Sequence, residues 1–136
     1  MLPFEFTVQG TPVSHQSHNK VLLRQWQQTV REAAGRLWPA GVAPVTVDCL
    51  LIGVYYFGVS PALLDNDNFI KPIQDALIGL VYEDDRQVTD TLIRRTDIRG
   101  AFYIQDESAP VALAIRRGEE FVYVRVDVVP DHRRLL

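Results

Sequence analysis

Cysteine occurs once in this chain of 136 residues and lysine twice, and no apolar run is long enough to span a bilayer. A lone Cys49 rules out an internal disulfide. Its place in an apolar, strand-like run marks it as a packed thiol rather than a nucleophile, in keeping with a reducing compartment. The opening residues lack the basic start and apolar run of a signal peptide. No repeat, low-complexity tract or linker breaks the sequence. A net charge of −3 gives the chain no global attraction to a polyanion. What remains is the composition of an ordinary globular protein, 47% hydrophobic and 23% charged, at a length that predicts one domain with a sizeable core.

Met1 to Gln9 alternates, with Phe4, Phe6 and Val8 on one face, and predicts a half-buried strand ended by Gly10 to Pro12. The polar segment Ser14 to Asn19 follows. Its His15 and His18 could ligate a metal if the segment curled into a turn, but without a nearby third ligand they read as surface residues, in a loop that in a nuclease could touch phosphate. Lys20 to Trp38 is the clearest helix, capped by Asn19, with an apolar stripe through Leu22 or Leu23, Trp26, Val30, Ala33 and Leu37. Arg24, Arg31 and Arg36 lie off that stripe, as a solvated face or a phosphate-contacting one. Pro44 to Phe57 predicts a long strand, apolar on both faces in its second half and therefore central in a sheet. Arg86 to Asp97 predicts another strand, with Arg94 and Arg95 on opposite faces. Gly100 is a turn, Phe102 to Ile104 a short strand, and Asp106 to Gly118 a loop with a short helix capped by Ser108 and ending in Arg116 and Arg117. Phe121 to Val129 alternates as the last strand, with Val122, Val124, Val126 and Val128 inward. Arg133 and Arg134 in the tail suit a phosphate backbone or a disordered end. The predicted architecture is α+β: a mixed or antiparallel sheet of about four or five strands with two principal helices packed on it.

The densest chemistry lies from Leu63 to Val88, LLDNDNFIKPIQDALIGLVYEDDRQV. Asp65, Asp67, Asp75, Glu83, Asp84 and Asp85, with Asp90 on the flank, surround one of the two lysines, Lys71. Asp65 and Asp67 are two apart, so in an extended segment both carboxylates leave on the same side and can share one hard cation. Asn68 is a candidate helix cap, Pro72 sits in or near the first turn, and Ile70, Ile73, Leu77 and Leu80 recur on one face up to a stop at Gly79. Lys71 is one helical turn from Asp67, and Asp75 one turn further. A functional reading is a Mg²⁺ or Mn²⁺ site for phosphodiester hydrolysis, with Lys71 steadying charge on the phosphate. The purely structural reading is a Lys71–Asp75 surface pair, turn and cap hydrogen bonds at Asp65 and Asn68, and a solvated acidic loop at Glu83 to Asp85.

The pattern DNDNFIKPIQDALIGLVYEDDRQV resembles the signature of the RusA-type crossover-junction endodeoxyribonucleases. These are small dimeric Mg²⁺-dependent enzymes that cut four-way DNA junctions. By that resemblance the metal-binding aspartates are Asp65, Asp67 and Asp85, the catalytic lysine is Lys71, and the helix aspartate is Asp75, with Asp84 the neighbour in the Asp-Asp pair. Asn68, Asp75 and Asp84 are then supporting residues, Asp75 positioning Lys71 and Asp84 a reserve ligand or acceptor. The resemblance further implies a Mg²⁺ cofactor, with Mn²⁺ an alternative, a homodimer acting on branched DNA in recombination and repair, and a cytoplasmic setting in bacteria or their phages. DNA affinity in so acidic a chain must come from the metal and local arginines, for which Arg94, Arg95, Arg116, Arg117, Arg133 and Arg134 are the candidates.

Two expectations compete with the simplest version. A helix running from Asn68 to Leu80 carries the chain roughly 20 Å from Asp67. The five residues to Asp85 retrace at most about 18 Å. Either the helix is shorter or the site is shared across a dimer. The alternative function is a non-catalytic DNA-junction-binding or protein-interaction module on the same fold.

Overall fold

The computed structural model describes residues 1–58, 65–98 and 109–134. The expected strand at Phe102–Ile104, the turn at Gly100 and the cap at Ser108 lie outside these residues. The fold is α+β and, among the described residues, has seven principal elements in the order β1 (Phe4–Gln9), α1 (Lys20–Leu37), β2 (Cys49–Phe57), α2 (Asn66–Ala76), β3 (Val88–Asp97), α3 (Ala109–Arg117) and β4 (Phe121–Val128). The four strands make one mixed sheet in the order β1-β4-β2-β3. β4 lies antiparallel to β1 and β2, while β2 and β3 run parallel. A parallel pair needs a crossover rather than a hairpin, and α2 lies within that crossover.

The sequence alternation becomes rows across the sheet. Phe4 pairs with Val126, Val126 with Leu51, and Leu51 with Thr91; the next rows run Phe6, Val124, Gly53, Ile93 and then Val8, Val122, Tyr55, Arg95. Each row is buried through its first three strands and loses that burial at β3, which has no buried residue. The core face of the sheet therefore turns toward solvent at β3. α1 and α2 cover the apolar part. Leu23, Trp26, Val30 and Ala34 face inward from α1, and Phe69, Ile70 and Ile73 from α2. Gly53 allows the closest approach, since a Cβ there would lie 2.7 Å from Ile70 Cδ1 and 3.2 Å from Phe69 Cε2.

α1 begins as expected: Asn19 Oδ1 accepts from the Leu22 N–H at 3.1 Å. Leu22 and Leu37 are exposed, however, because the four-residue series Trp26, Val30, Ala34 and Trp38 takes the inner positions. Likewise Val128 is exposed at the end of β4, although Val122, Val124 and Val126 point into the core. β2 starts at Cys49 rather than Pro44. Val45 bonds the return segment instead, its N–H donating to the Val81 carbonyl at 2.8 Å, and Val47 is 51% exposed. Cys49 is a buried free thiol whose pKa is raised by burial and by the neighbouring Asp48.

Candidate active site

α2 differs from the predicted helix at both ends. It starts at Asn66 with Asp65 as the N-cap residue, so Asn68 lies inside the first turn and is not the cap. Asp65 and Asn68 are both cap-forming types, and the earlier one takes the position. The helix stops at Ala76, well before Leu80, for a reason that comes from α1. Arg31 donates from Nη1 to the carbonyls of Ala76 and Ile78, at 3.0 and 2.7 Å, meeting the helix end with a cation. Gly79 then turns the chain at φ +81°, and its N–H donates to the Tyr82 carbonyl at 2.7 Å. The buried Tyr82 hydroxyl closes the turn by donating to the Gln74 carbonyl at 2.6 Å.

This short helix brings Asp85 back to α2 in the same chain. Lys71 Nζ lies 2.9 Å from Asp75 Oδ1 and 3.0 Å from Asp85 Oδ2. Hydrogen bonds to Asp75 and then Asp85 raise the Lys71 pKa above its ordinary value, against a smaller effect of burial. The distance argument for sharing the site across a dimer therefore lapses. Asp85 is also held through its backbone, whose carbonyl accepts from Gln74 Nε2 at 3.3 Å.

The turn carrying Asp85 is a short 3-10 helix, Asp85–Gln87, closed by a reciprocal capping box. Asp84 accepts from the Arg86 N–H at 3.0 Å and from Arg86 Nη2 at 2.8 Å. These bonds hold its carboxyl well below the usual carboxylate range and tie Asp84 into the turn. Gln87 Oε1 accepts from the N–H groups of Glu83 and Asp84, while Nε2 donates to the carbonyls of Val45 and Val47, both at 2.9 Å. With the Val45 and Val47 carbonyls so engaged, the strand expected from Pro44 begins only at Cys49. The cue was in the sequence, an Asp followed three residues later by Gln.

Asp67 and Lys71 line an open cleft of about 450 Å³ together with Asn68, Gln74, Thr91 and His15. His15 arrives from the polar segment before α1. Pro72, in the second turn of α2 and not the first, has no N–H to give the carbonyl of Asn68; that carbonyl accepts from the His15 N–H at 2.9 Å instead.

The proposed ligands are brought together only in part. Asp65 and Asp67 are exposed at the start of α2, and Asp65 makes no side-chain capping bond. Among the described residues, no three His, Cys, Asp or Glu side chains converge on one point. In kind the donors fit a hard cation: they are all carboxylates, they are open to water, and Mg²⁺ uses only one or two of them while keeping several waters. Of the arginines, Arg95 shares the helix-bearing face with Thr91 and Arg94 points to the other face. Arg116 and Arg117 close α3, while Arg133 and Arg134 lie 3.2 and 3.8 Å from Asp131. None of the six lines the cleft.

No helix among the described residues is long and apolar enough to cross a membrane. A search of curated proteins found no match. Residues 61–115, less than half of the chain, match the family model described as Endodeoxyribonuclease RusA. The matched stretch contains Lys71 and all the carboxylates gathered around it, and it marks a distant relationship to that nuclease family.

Proposed function

We propose that this protein is a divalent-metal-dependent, structure-selective endodeoxyribonuclease that resolves four-way DNA junctions by paired phosphodiester cuts, as a homodimer with one domain per chain. The observation that carries this reading is Lys71, held by Asp75 and Asp85 on the wall of an open cleft that it shares with Asp67. A binding surface has little use for a lysine so fixed amid carboxylates, whereas phosphoryl chemistry needs a positioned cation where charge develops.

In this mechanism Asp75 and Asp85 fix the Lys71 ammonium, which meets the non-bridging oxygens of the scissile phosphate. Asp65, Asp67 and Asp85 are the carboxylates that would hold Mg²⁺, or Mn²⁺ in its place, one or two of them directly and the rest through its waters. When bound, such an ion would supply an activated water and Lewis-acid stabilisation of the phosphate. Asp85 would thus have two partners to serve, the lysine and the metal, with Gln74 holding its backbone carbonyl and Gln87 holding the N–H groups of Glu83 and Asp84 just before it. Two such sites on a two-fold axis match the near two-fold symmetry of a four-way junction. Arg95, on the same sheet face as the cleft, is the arginine best placed to extend the contact along DNA, with Arg94, Arg116, Arg117, Arg133 and Arg134 as outlying contacts.

The test is cleavage of a labelled four-way junction beside matched duplex and single strands, in Mg²⁺, Mn²⁺ and EDTA, with Asp67→Asn as control. Metal-dependent cuts confined to the junction and lost in the variant support the reading. The second reading, a non-cutting junction-binding or protein-interaction module, draws on the incomplete convergence of carboxylates among the described residues. Tight junction binding without cuts in either metal would establish that reading instead.

A further inference from the structure

A proline in the interior of a helix removes one backbone bond and presses its ring toward the carbonyl four residues back. In α2 that carbonyl belongs to Asn68, and it is not wasted: the His15 N–H donates to it at 2.9 Å. The segment that docks there is itself ordered. Ser14 Oγ accepts from the Gln16 N–H at 3.1 Å, the Ser14 carbonyl from the Ser17 N–H at 3.0 Å, and Ser17 Oγ from the Asn19 N–H at 3.2 Å. Asn19 in turn caps α1. The backbone at His15 is thus fixed from two directions, by α2 on one side and by the start of α1 on the other.

The result is a cleft with two walls from distant parts of the chain, Lys71 and Asp67 on α2 and His15 on the docked segment. We propose that His15 is a substrate-contacting residue of this site, donating a hydrogen bond to a DNA phosphate oxygen held between it and Lys71, and that Pro72 is the positioning residue that keeps it there. This rests on the nuclease reading above. A neutral imidazole carries one N–H donor in either tautomer, so the contact requires no added proton. A phosphodiester offers acceptor oxygens to both walls at once. An α2 with alanine at position 72 would bond Asn68 internally and leave the segment without its anchor.

Three variants test this, His15→Ala, His15→Gln and Pro72→Ala. Hydrogen exchange at the amides of residues 14–17 reads the anchor without reference to activity. Pro72→Ala is expected to speed it by about tenfold, the equivalent of one lost hydrogen bond, and unchanged exchange overturns the role of Pro72. Junction binding in EDTA and steady-state cleavage in Mg²⁺ read the contact. His15→Ala should raise Kd and KM about tenfold with kcat within about twofold, and His15→Gln, which keeps a donor, should recover most of the loss. In the Pro72→Ala background the His15→Ala change should add little. If the native protein binds and cuts junctions and His15→Ala matches it in Kd and KM, the role of His15 is overturned while the nuclease reading stands. If the native protein neither binds nor cuts, both fall together.

Discussion

Lys71 and Asp85 are 14 residues apart in sequence and 3.0 Å apart in space. Half-exposed ion pairs of this kind add little to stability, about 0.2–1 kcal/mol each. The Lys71 pairs with Asp75 and Asp85 are therefore expected to matter for chemistry more than for folding. Lys71→Ala should leave the urea midpoint nearly unchanged and lower kcat for junction cleavage by about 10²- to 10³-fold. A large loss of stability with intact cleavage would reverse that assignment.

Arg31 lies on α1, yet it determines where α2 ends. Replacing it with alanine removes two charge-assisted bonds to the carbonyls of Ala76 and Ile78. The expected loss is about 1–3 kcal/mol in urea unfolding. The turn from Leu77 to Asp85 should loosen as well, visible as faster amide exchange at Val81, whose N–H donates to Leu77 at 3.0 Å. An unchanged midpoint would show that the α2 terminus is held by other means.

Gly53→Ala sets a Cβ against Ile70 Cδ1 at 2.7 Å and the Phe69 ring at 3.2 Å. Ile70 can turn aside at its tip but the ring has less freedom, so overpacking should cost about 1–3 kcal/mol. Because Phe69 and Ile70 lie between Asp67 and Lys71 in sequence, cleavage should fall in the same variant. Calorimetry and the junction assay together check this.

Alkaline pH should destabilise the protein chiefly through two tyrosines. Burial pushes the Tyr82 hydroxyl far above its ordinary value of 10.0; burial, and then a 2.6 Å bond to Glu5, push Tyr123 up to about 12. A group whose pKa is raised by folding contributes its stability in full below the unfolded value and loses it as pH rises through the folded one. The urea midpoint should therefore begin to fall above about pH 8.5, where the Cys49 thiol, also raised by burial, ionises in the unfolded chain, and fall more steeply above about pH 10. Tyr82→Phe and Tyr123→Phe together should flatten that steeper decline. A midpoint that falls equally in the double variant would assign the alkaline loss to other groups.

Local patterns were legible wherever local forces decided the outcome. Asn19 capped α1, and the alternating residues of β1 and β4 became the two antiparallel pairings of the sheet. The mixed four-stranded order was visible only as a class, because strand neighbours depend on contacts between chain ends. The length of α2 was hidden for a similar reason: Ile73 and Leu77 keep the helical stripe going, but an arginine 45 residues away ends it at Ala76. The start of β2 was misplaced because Gln87 takes the carbonyls of Val45 and Val47. Within the candidate site, the lysine and its carboxylates stood out by composition, whereas His15 did not. Its signal was indirect, a proline in a helix that leaves one carbonyl in need of a donor.

The rows across the sheet have a kinetic consequence. Pairing Phe4 with Val126 joins nearly the two ends of the chain, while Lys71 and Asp85 close a loop of only 14 residues. Loop-closure entropy grows with the logarithm of length, and non-local strand pairing is slow for that reason. Closing the acidic crossover thus costs less chain entropy than pairing β1 with β4, and the Phe4–Val126 pairing is the entropically costlier step.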